Sequence, residues 1–518
     1  MRVRTWGALV VIALLAVGCS SSSNSTGKTA QHPSKPNVLF ILTDDLDLHE
    51  ISHMPNLGSL LIDHGVTFSH YFVSVSLCCP SRSTTLRGQY SHNTGVETNG
   101  GSNGGFETAH RLGIEKSTIA TWLQGNDYRT ALVGKYLNGY PGPRDRSYVP
   151  PGWTEFVSAA AGNPYSEFNY TLNENGTFHH YGRQRSDYGT DVYVRDAQVF
   201  MKQAAEAGKP FFAYLALYAP HQPATPAPRD ATLFPHARAP RTPAYNAAHV
   251  SGKPQYIRRL PLMTPPAQAR TDELYRRRLQ SMQAVDDGIA KLIGTLRDTG
   301  QLDNTYIVFT SDNGFHLGQF RMEAGKQTPY DFDIHVPFVV RGPGIPEHRT
   351  ADQLVGNVDL APTFAAMGGV APPSFIDGRS FLSLAKDPAS NAPWRNAYLI
   401  EHWRETGRTD GDTAENSGAP LEPPDPDQKA TPRGLGAGVS PIPDYHGIRT
   451  QRYMYVEYAT GERELYDLRR DPYELQNIVN TAAPALVRSL SLEVAALERC
   501  RAAECRTVED TPISVGAG

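Results

Sequence analysis

The neighbouring cysteines Cys78 and Cys79 are the most unusual feature of the sequence. They begin residues 78–88, Cys-Cys-Pro-Ser-Arg-Ser-Thr-Thr-Leu-Arg-Gly. Adjacent cysteines do not easily bridge to other parts of a chain, and a helix that begins at Cys78 would point its free backbone N–H groups at an anion. The simpler interpretation is a small buried residue at the start of a helix whose first turn is preset by Pro80.

Polar residues follow several apolar runs that have the length and composition of buried strands. Each of these residues comes just after the C-terminal end of a run, and together they are Asp44 and Asp45, Lys135, His221, and Asp312 with Asn313. Alone, an aspartate pair in this place serves equally well as a helix cap or turn, and a lone histidine or lysine is often structural or solvated. Open α/β sheets, however, place their ligand sites at this edge. The recurrence of such residues at four strand ends therefore favours a functional site.

Apolar runs alternate with amphipathic segments up to about residue 390. The runs predicted as strands are residues 38–42, 128–133, 211–218, 306–309 and 336–340, and the predicted helices are residues 116–124, 191–207 and 273–297. Strands that alternate with helices form a mainly parallel sheet covered on both faces. The sequence therefore predicts an α/β fold with a large, mainly parallel sheet flanked by helices.

The pattern changes near residue 390. Residues 397–403, 446–459 and 464–468 are predicted as strands without intervening helices, and residues 483–499 as one final helix. A chain of 518 residues exceeds the usual size of a single core. We therefore predict a catalytic domain at 37–390 and a smaller C-terminal domain at 391–518, with an antiparallel sheet, a helix packed on it and a long surface loop at 405–441.

The N-terminus has the features of an export signal. Two arginines precede an apolar run at residues 6–17 that is too short to cross a bilayer comfortably. The run ends in Ala-Val-Gly-Cys, which is similar to the lipobox of bacterial lipoproteins. The alternative is an ordinary secretory signal cleaved near Gly18. The prediction is a lipoprotein signal peptide at 1–18, a lipid anchor at Cys19 and a flexible tether at 19–36.

Charge and composition exclude some partners. The 49 basic and 53 acidic residues give a net charge of -4, which is unlike the basic footprint of a nucleic-acid binder. No nucleic acid is therefore expected as a partner. Because there is no second long apolar segment, we expect contact with a membrane only through the lipid anchor. In the oxidising compartment that export implies, Cys500 and Cys505 are predicted to form a local disulfide.

Residues 78–88 resemble the signature of type I sulfatases, Cys-x-Pro-Ser-Arg followed by x-x-x-Leu-Thr-Gly. The one departure is Arg87, where threonine is usual. In this family a formylglycine-generating enzyme oxidises the first cysteine to formylglycine, an aldehyde whose hydrate is the nucleophile. The resemblance therefore implies that Cys78 is catalytic and that such an enzyme is a partner during maturation.

The resemblance extends over residues 37–505. It looks closest to the N-acetylglucosamine-6-sulfatase and arylsulfatase branch of the alkaline phosphatase superfamily, which implies an alkaline-phosphatase-like fold. It is carried by Leu-Thr-Asp-Asp at 42–45, Gly-Lys-Tyr-Leu-Asn at 134–138 and Ser-Asp-Asn-Gly-Phe-His-Leu-Gly-Gln at 311–319. Glu-Leu-Tyr-Asp-Leu at 464–468 and Asp-Pro-Tyr-Glu at 471–474 are typical of the family's C-terminal domain.

A metal site is implied by the same resemblance. The residues that match the family's ligands for a divalent cation are Asp44, Asp45, Cys78, Asp312 and Asn313. Carboxylate and amide oxygens are hard donors, which suit Ca²⁺ or Mg²⁺ better than zinc. Arg82 and the cation would together hold the aldehyde hydrate and favour its ionised form.

Further residues match the family's sulfate-binding groups. A sulfate ester loses its alcohol while negative charge spreads over the sulfuryl oxygens, so fixed positive charge is expected around the sulfur. Lys135 and Lys326 match the two sulfate-binding lysines, and His221 matches a histidine near the leaving oxygen. Many sulfatases have a histidine where this chain has Leu137, so a base must come from elsewhere. We predict His92 for this role because it closely follows the signature.

The resemblance implies a sulfatase that acts by transesterification on a sulfated sugar or aryl sulfate. Two alternatives stay open: a formylglycine-dependent phosphonate monoester or phosphodiester hydrolase, and a non-catalytic surface lipoprotein that binds sulfated glycans. Selectivity for the sugar is expected from loops at the same sheet edge. The segments predicted to contribute are residues 99–107 and 402–404, with His402 as a sugar contact and a 6-sulfated hexosamine as the preferred substrate.

Overall fold

The long apolar runs of the sequence form the centre of a ten-stranded sheet. The computed structural model describes residues 35–142, 145–407 and 442–514. Its strands are β1 (Asn37–Thr43), β2 (Val66–Phe68), β3 (Tyr71–Phe72), β4 (Arg129–Gly134), β5 (Glu155–Gly162), β6 (Tyr170–Glu174), β7 (Thr177–Tyr181), β8 (Phe211–Ala216), β9 (Thr305–Ser311), β10 (Phe338–Arg341), β11 (Arg349–Ala351), β12 (Val355–Gly356), β13 (Tyr398–His402), β14 (Tyr445–Arg449), β15 (Tyr453–Tyr458) and β16 (Arg463–Asp467).

Helices cover both faces of this sheet. They are α1 (Pro55–Leu57), α2 (Cys78–Arg87), α3 (Ser91–Thr94), α4 (Gly105–Arg111), α5 (Ile119–Gln124), α6 (Gly189–Glu206), α7 (Gln255–Arg258), α8 (Pro265–Asp298), α9 (Asp331–Ile334), α10 (Leu360–Met367), α11 (Leu382–Lys386), α12 (Pro484–Leu497) and α13 (Ala503–Glu509). None of those described is long and apolar enough to cross a membrane.

The large sheet has the strand order β11-β2-β10-β9-β1-β8-β4-β5-β6-β7. Its five central strands, β9 to β5 in this order, run parallel, whereas β10 pairs antiparallel with β9, and β6 antiparallel with β5. All seven residues of β1 are buried, as expected for a parallel strand covered on both faces. The predicted α/β architecture is therefore confirmed.

Alternate residues of β1 enter two different cores. Val38 and Phe40 belong to the core that α2, α5 and α10 cover, whereas Leu39 and Ile41 belong to the core under α6 and α8. This alternation follows from the period of two residues along a strand. The helix α8 begins after Thr264, whose side chain accepts a hydrogen bond from the backbone of the first helical turn.

The C-terminal region forms an antiparallel sheet with the order β13-β14-β15-β16. The single strand predicted at 446–459 is wrong, because the polar residues Thr450–Arg452 form a turn that separates β14 from β15. The predicted last helix is followed by another, α13. Cys500, which follows α12, and Cys505, within α13, form the predicted disulfide. The described residues form one compact unit, and a domain boundary near residue 390 stays a prediction.

Several sequence-based predictions lie outside the described residues. These are the signal peptide at 1–18, Cys19, all but the last two residues of the tether, and residues 408–441 of the predicted loop. Conversely, β5 and the strands β6 and β7, which continue the sheet in antiparallel pairing beyond it, had no counterpart in the prediction.

Candidate active site

Four central strands deliver the predicted site residues to one edge of the sheet. Thr43 of β1 is paired with Ser311 of β9, and Gly134 of β4 with Ala216 of β8, so the polar residues that follow these strands emerge side by side. The helix α2 begins next to them, and a loop after β9 adds a lysine. The residues brought together and buried are Asp44, Asp45, Cys78, Arg82, Lys135, His221, Asp312, Asn313 and Lys326.

The backbone at the strand ends is held in an exact register. Asp45 adopts the left-handed region, with φ 68°, while the N–H of Asp45 donates to Asp312 Oδ1 at 3.1 Å. Gly134 has φ 116°, and a Cβ there would lie 1.9 Å from the Ala216 carbonyl oxygen. Only glycine permits this approach, which lets the backbone N–H of Lys135 donate to that carbonyl at 2.7 Å.

The helix α2 starts at Cys78 and is buried over its first nine residues, Cys78–Leu86. Its first turn has no cap from the preceding residue. The amide oxygen of Asn99 instead accepts a hydrogen bond from the Cys79 N–H at 2.8 Å. The helix ends at Gly88, which has φ 72°, a common helix stop. The helix predicted at this place is therefore present, with its N-terminal end at the polar cluster.

The thiol of Cys78 lies among charged groups of both signs. Its Sγ is 3.2 Å from Asp44 Oδ1, 3.9 Å from Asp45 Oδ1 and 3.1 Å from the Lys326 Nζ. Lys326 also reaches Asp45 Oδ1 at 2.8 Å. A group at this position is therefore close to carboxylates that can bind a cation and to an ammonium that can bind an anion.

The acidic residues fit a divalent cation. Oxygen or sulfur atoms of Asp44, Asp45 and Cys78 and a ring nitrogen of His221 all lie within 4.8 Å of one another. The Oδ2 of Asp45 and the Oδ1 of Asn313 are buried acceptors without a hydrogen-bond partner. Such orphaned buried oxygens are costly unless a cation or another donor meets them. The donors are mainly hard oxygens, which matches Ca²⁺ or Mg²⁺.

Basic residues surround the carboxylates. Arg82 Nε lies 2.8 Å from Asp312 Oδ2, and Lys135 Nζ lies 2.6 Å from Asp44 Oδ2. Burial opposes the charge of both bases, but these carboxylates outweigh it and raise the pKa of Arg82 and of Lys135 above their usual values. Both side chains are therefore cations at neutral pH.

The carboxylates of Asp44 and Asp312 differ in their proton affinity. Burial, with the charge of Asp312, raises the pKa of Asp44 to about 6 against the attraction of Lys135. Burial acts on Asp312 as well, but Arg82 and the two lysines lower its pKa below the usual range. Asp312 is thus the carboxylate that stays ionised most readily.

His221 is held by its own backbone neighbourhood. Its Nδ1 lies 2.8 Å from the Gln222 carbonyl oxygen, so Nδ1 carries a proton and donates it. Its Nε2 then faces the cluster, 3.4 Å from Asp45 Oδ2 and 3.5 Å from Lys326 Nζ. This nitrogen is the one available for proton transfer at the site.

His92, predicted as the base, is used elsewhere. Its Nδ1 lies 2.6 Å from Glu401 and its Nε2 lies 2.9 Å from the Cys500 carbonyl oxygen. Burial lowers its pKa, but the Glu401 carboxylate and these hydrogen bonds outweigh burial and raise the pKa to about 9. A protonated ring that donates from both nitrogens has no lone pair with which to accept a proton. The structure therefore corrects this prediction: His92 joins α3 to the C-terminal region.

The two segments predicted to select the sugar meet each other. The backbone N–H of Ser102 donates to the Thr406 carbonyl at 2.7 Å, and the Asn103 amide donates to the Arg404 carbonyl at 3.1 Å. His402 itself is buried in β13, where its ring stacks on Tyr445 at 5.2 Å. Burial lowers the pKa of His402 to about 4. These observations indicate a packing role for His402 rather than the predicted sugar contact.

Sequence reasoning missed residues that support the cluster from the opposite side. Arg278 of α8 donates to the Asp45 carbonyl at 2.5 Å and forms a buried ion pair with Glu50 at 2.6 Å. Tyr165, in the connection between β5 and β6, lines a cavity beside Lys135. An isolated arginine in a long helix, or a tyrosine in an unpredicted loop, gives no local signal of such a role.

The α/β sheet, the buried acidic cluster and the basic side chains together form the type of site that a hydrolase uses for an anionic ester, with a group of residues that could hold a metal ion. The sulfatase family model matches residues 36–370. The human N-acetylglucosamine-6-sulfatase is 34% identical over 498 residues, which cover 91% of this chain and 86% of the human one. The chain therefore belongs to the sulfatase family, as the signature indicated.

Other relatives extend this comparison. A Caenorhabditis elegans homologue of the extracellular sulfatase Sulf-1 is 41% identical over 380 residues, or 71% of this chain, but the chain spans only 52% of that protein. A solved structure of a protein with its substrate D-glucosamine-2-N,6-O-disulfate has a TM-score of 0.69 at 23% identity, over 90% of this chain and 97% of the other. This likeness establishes the fold.

Proposed function

We propose that the protein hydrolyses sulfate esters, with residue 78 as the nucleophile. The observation that carries this proposal is the position of Cys78, which opens a buried helix and lies 3.1 Å from Lys326 Nζ and 3.2 Å from Asp44 Oδ1. Once Cys78 has been oxidised to formylglycine, its hydrate supplies the oxygen that attacks sulfur. The intact Cys-x-Pro-Ser-Arg segment and the family membership support this proposal.

Fixed charges are arranged for the sulfuryl group. Arg82, Lys135 and Lys326 supply positive charge where the oxygens of the sulfuryl group gain negative charge. In a buried site these charges act more strongly than in water. The residues that would hold a Ca²⁺ or Mg²⁺ ion are Asp44, Asp45, Asp312 and Asn313, with residue 78 beside it; the ion would polarise sulfuryl oxygen and help to ionise the hydrate.

His221 is placed to handle the leaving alcohol. Its Nδ1–H is committed to the Gln222 carbonyl, so a second proton on Nε2 is free to pass to the alcohol oxygen as the sulfur–oxygen bond breaks. The net reaction consumes water and releases the alcohol and inorganic sulfate.

The proposed substrate is a sulfated sugar, with a 6-sulfated hexosamine preferred. Support comes from the human relative's name. The cavity beside Lys135, lined by Asn138, Tyr165 and Tyr218 among others, offers polar and aromatic groups next to that lysine but encloses only about the space of one water molecule. We place the contact between residues 102–103 and 404–406 at the rim of this site, because Asn99 of the same segment accepts a hydrogen bond from the Cys79 N–H.

The proposal includes export. The Sulf-1 homologue is extracellular by name, and the disulfide between Cys500 and Cys505 suits an oxidising compartment. We propose a lipid anchor at Cys19, which keeps the enzyme on the outer side of a bacterial membrane, and maturation by a formylglycine-generating enzyme. Cys19→Ser is expected to move the protein from the membrane fraction to the soluble exported fraction, and a wild type already found entirely in the soluble fraction contradicts the anchor.

Mass spectrometry of the peptide with residues 78–82 tests the nucleophile. In active protein from the native host, Cys78 should have exchanged its sulfur and two hydrogens for one oxygen, while Cys79 is unchanged. Cys78→Ala should abolish turnover with folding intact, and the matched control Cys79→Ala should retain measurable activity. Fully active protein with an unmodified Cys78 overturns the proposal.

Substrate comparison tests the reaction class. We expect higher kcat/KM for a 6-sulfated hexosamine and for 4-nitrophenyl sulfate than for an aryl phosphate diester or a phosphonate monoester. The reverse order identifies the phosphonate or phosphodiester hydrolase instead. Glycan binding without turnover of any of these esters identifies a binding protein.

A further inference from the structure

The connection between β5 and β6 brings an aromatic ring into the candidate active site. Tyr165 lies in this connection and is 3% exposed. Its ring centroid is 4.7 Å from that of His221, and the planes are tilted by 53°. The ring thus packs against the imidazole that faces the cluster through Nε2.

Two other residues hold the ring of Tyr165. The Lys135 Nζ lies 5.1 Å from its centroid, within the range of a cation–π interaction. Tyr218 packs against it edge-on, with centroids 5.0 Å apart and planes at 80°. Tyr165 is therefore fixed by groups on the ends of β4 and β8, the strands that also lead to Lys135 and His221.

The backbone around Tyr165 is anchored as well. Glu167, with φ 63°, turns its buried carboxylate toward α6 and accepts hydrogen bonds from the Thr190 N–H at 2.6 Å and the Thr190 hydroxyl at 3.1 Å. The Gly189 N–H donates to the Glu167 carbonyl at 2.9 Å. The connection is consequently a built support and not a loose surface loop.

We infer that Tyr165 is a positioning residue whose ring keeps the His221 imidazole oriented for proton transfer to the leaving alcohol. The hydrogen bond from Nδ1 to Gln222 fixes one edge of the imidazole, and Tyr165 blocks rotation of its face. Without the aromatic ring, the imidazole has room to rotate, and Nε2 is no longer held in the orientation that proton transfer requires. This inference rests on the proposed hydrolysis of sulfate esters.

The effect must depend on the alcohol that leaves. A sugar alkoxide is a poor leaving group and needs a proton as the bond breaks, whereas 4-nitrophenolate leaves readily without one. Tyr165→Leu is expected to lower kcat/KM about 30-fold for a 6-sulfated hexosamine and about 3-fold for 4-nitrophenyl sulfate. Tyr165→Phe keeps the ring and should stay within about threefold of the wild type on both substrates.

A double-mutant cycle with His221→Ala separates positioning from general support. Because the two residues act as one unit, Tyr165→Leu should cost less than about twofold in the His221→Ala background. Tyr181 provides the matched control, since it stacks on Tyr170 at 5.3 Å within the hairpin of β6 and β7. Tyr181→Leu should affect kcat/KM for both substrates equally. Tyr165→Met, which fills the space flexibly, replaces the leucine variant if that variant does not fold.

Equal losses of kcat/KM on the two substrates overturn the inference, and so does the full loss in the His221→Ala background. Either result leaves the proposed function standing. A wild type that turns over no sulfate ester removes both. Selective loss on the sugar sulfate, absent in the His221→Ala background, supports the positioning role.

Discussion

Cys78 and Cys79 are chemically identical side chains in different surroundings. Burial raises the pKa of Cys79 to about 12, so its thiol stays protonated, although interactions with the Asn138 backbone and the Ser83 side chain act in the opposite direction. Cys78 instead contacts Lys326 and the carboxylates of Asp44 and Asp45. The different surroundings of the two thiols therefore follow from which cysteine begins the helix beside the charged cluster.

Asp312 gives a prediction for metal binding. It is buried, pairs with Arg82 and carries a lowered pKa, so it presents a permanent charge to a cation. We expect Asp312→Asn to weaken Ca²⁺ binding at least about 100-fold, as loss of one charged ligand commonly does. Calorimetric titration with Ca²⁺ or Mg²⁺ measures this independently of activity.

Asp303 supplies the control for that measurement. It is exposed just before β9, at the opposite end of the strand, and Asp303→Asn should leave metal affinity unchanged. Equal affinities for all three proteins would place the cation elsewhere, and zinc at one per chain would point to a different hydrolase.

His92 gives a prediction for stability. Its pKa is about 9 in the folded protein against 6.5 as a free side chain, so its protonated form stabilises the fold below pH 6.5 and this contribution is lost as the pH rises through 9. His92→Gln should lower the free energy of unfolding by roughly 2 kcal/mol at pH 6 and by much less at pH 9.5. Urea denaturation at both pH values measures the difference.

The exposed residue His236 is the control for this prediction, because His236→Gln replaces a solvent-exposed side chain and should leave the free energy of unfolding nearly unchanged. A His92→Gln deficit that is the same at both pH values would assign the loss to packing. Turnover of 4-nitrophenyl sulfate by His92→Gln at pH 6.5 should remain close to that of the wild type, in contrast to the behaviour of a base.

At the scale of elements, α8 ties two strand ends together. Arg278 donates to the carbonyls of Asp45 and Pro220 at 2.5 and 3.5 Å, and Glu50 balances its charge. Removing one partner leaves the other charge buried, which typically costs about 3–5 kcal/mol. Arg278→Met should therefore destabilise the protein by about that much and weaken Ca²⁺ binding, because the Asp45 backbone loses its support.

This prediction is tested by denaturant unfolding and Ca²⁺ titration of Arg278→Met, Glu50→Gln and the double variant. The double variant should lose clearly less than the sum of the single losses, since it leaves no unpaired charge. If the losses of stability are additive, or if Ca²⁺ binding is unchanged in all three variants, the ion pair does not support the strand ends.

The sequence predicted those elements whose pattern is local. The central strands and α6 have continuous apolar or amphipathic periodicity, and the acids, lysine and histidine at their ends follow directly from it. The strands β6 and β7 were not predicted, because polar and exposed residues predominate in β7. His92 and Tyr165 could not be assigned correctly, since their roles depend on partners more than 50 residues away, such as Glu401 and His221.

At the scale of the molecule, the C-terminal sheet reaches the signature helix. Tyr398 of β13 donates to Asn357 at 2.8 Å, and the Asn357 amide donates to Ser81 Oγ at 3.0 Å. Arg395 pairs with Asp359 through two hydrogen bonds at 2.6 and 2.7 Å. Residues beyond 390 therefore help to fix the position of α2 as well as to cover the large sheet.

Truncation tests this dependence. A chain that ends at residue 390 leaves the Asp359 carboxylate buried without Arg395 and exposes the apolar residues that β13 to β16 cover, so we expect it to be insoluble or unfolded. Tyr398→Phe in the full chain should cost about 1 kcal/mol, the value of one buried hydrogen bond. A soluble truncated chain with a cooperative thermal transition would instead support an independent domain at 37–390.

The burial of α2 also orders events in time. Cys78, Cys79, Ser81 and Arg82 are at most 1% exposed, and Pro80 is buried with them in the first turns of the helix. An enzyme that reads these residues as an extended peptide has no access to them once the helix is packed between the sheet and the C-terminal region. Oxidation of Cys78 by such an enzyme, which the proposed function requires, would therefore have to precede the packing of this helix.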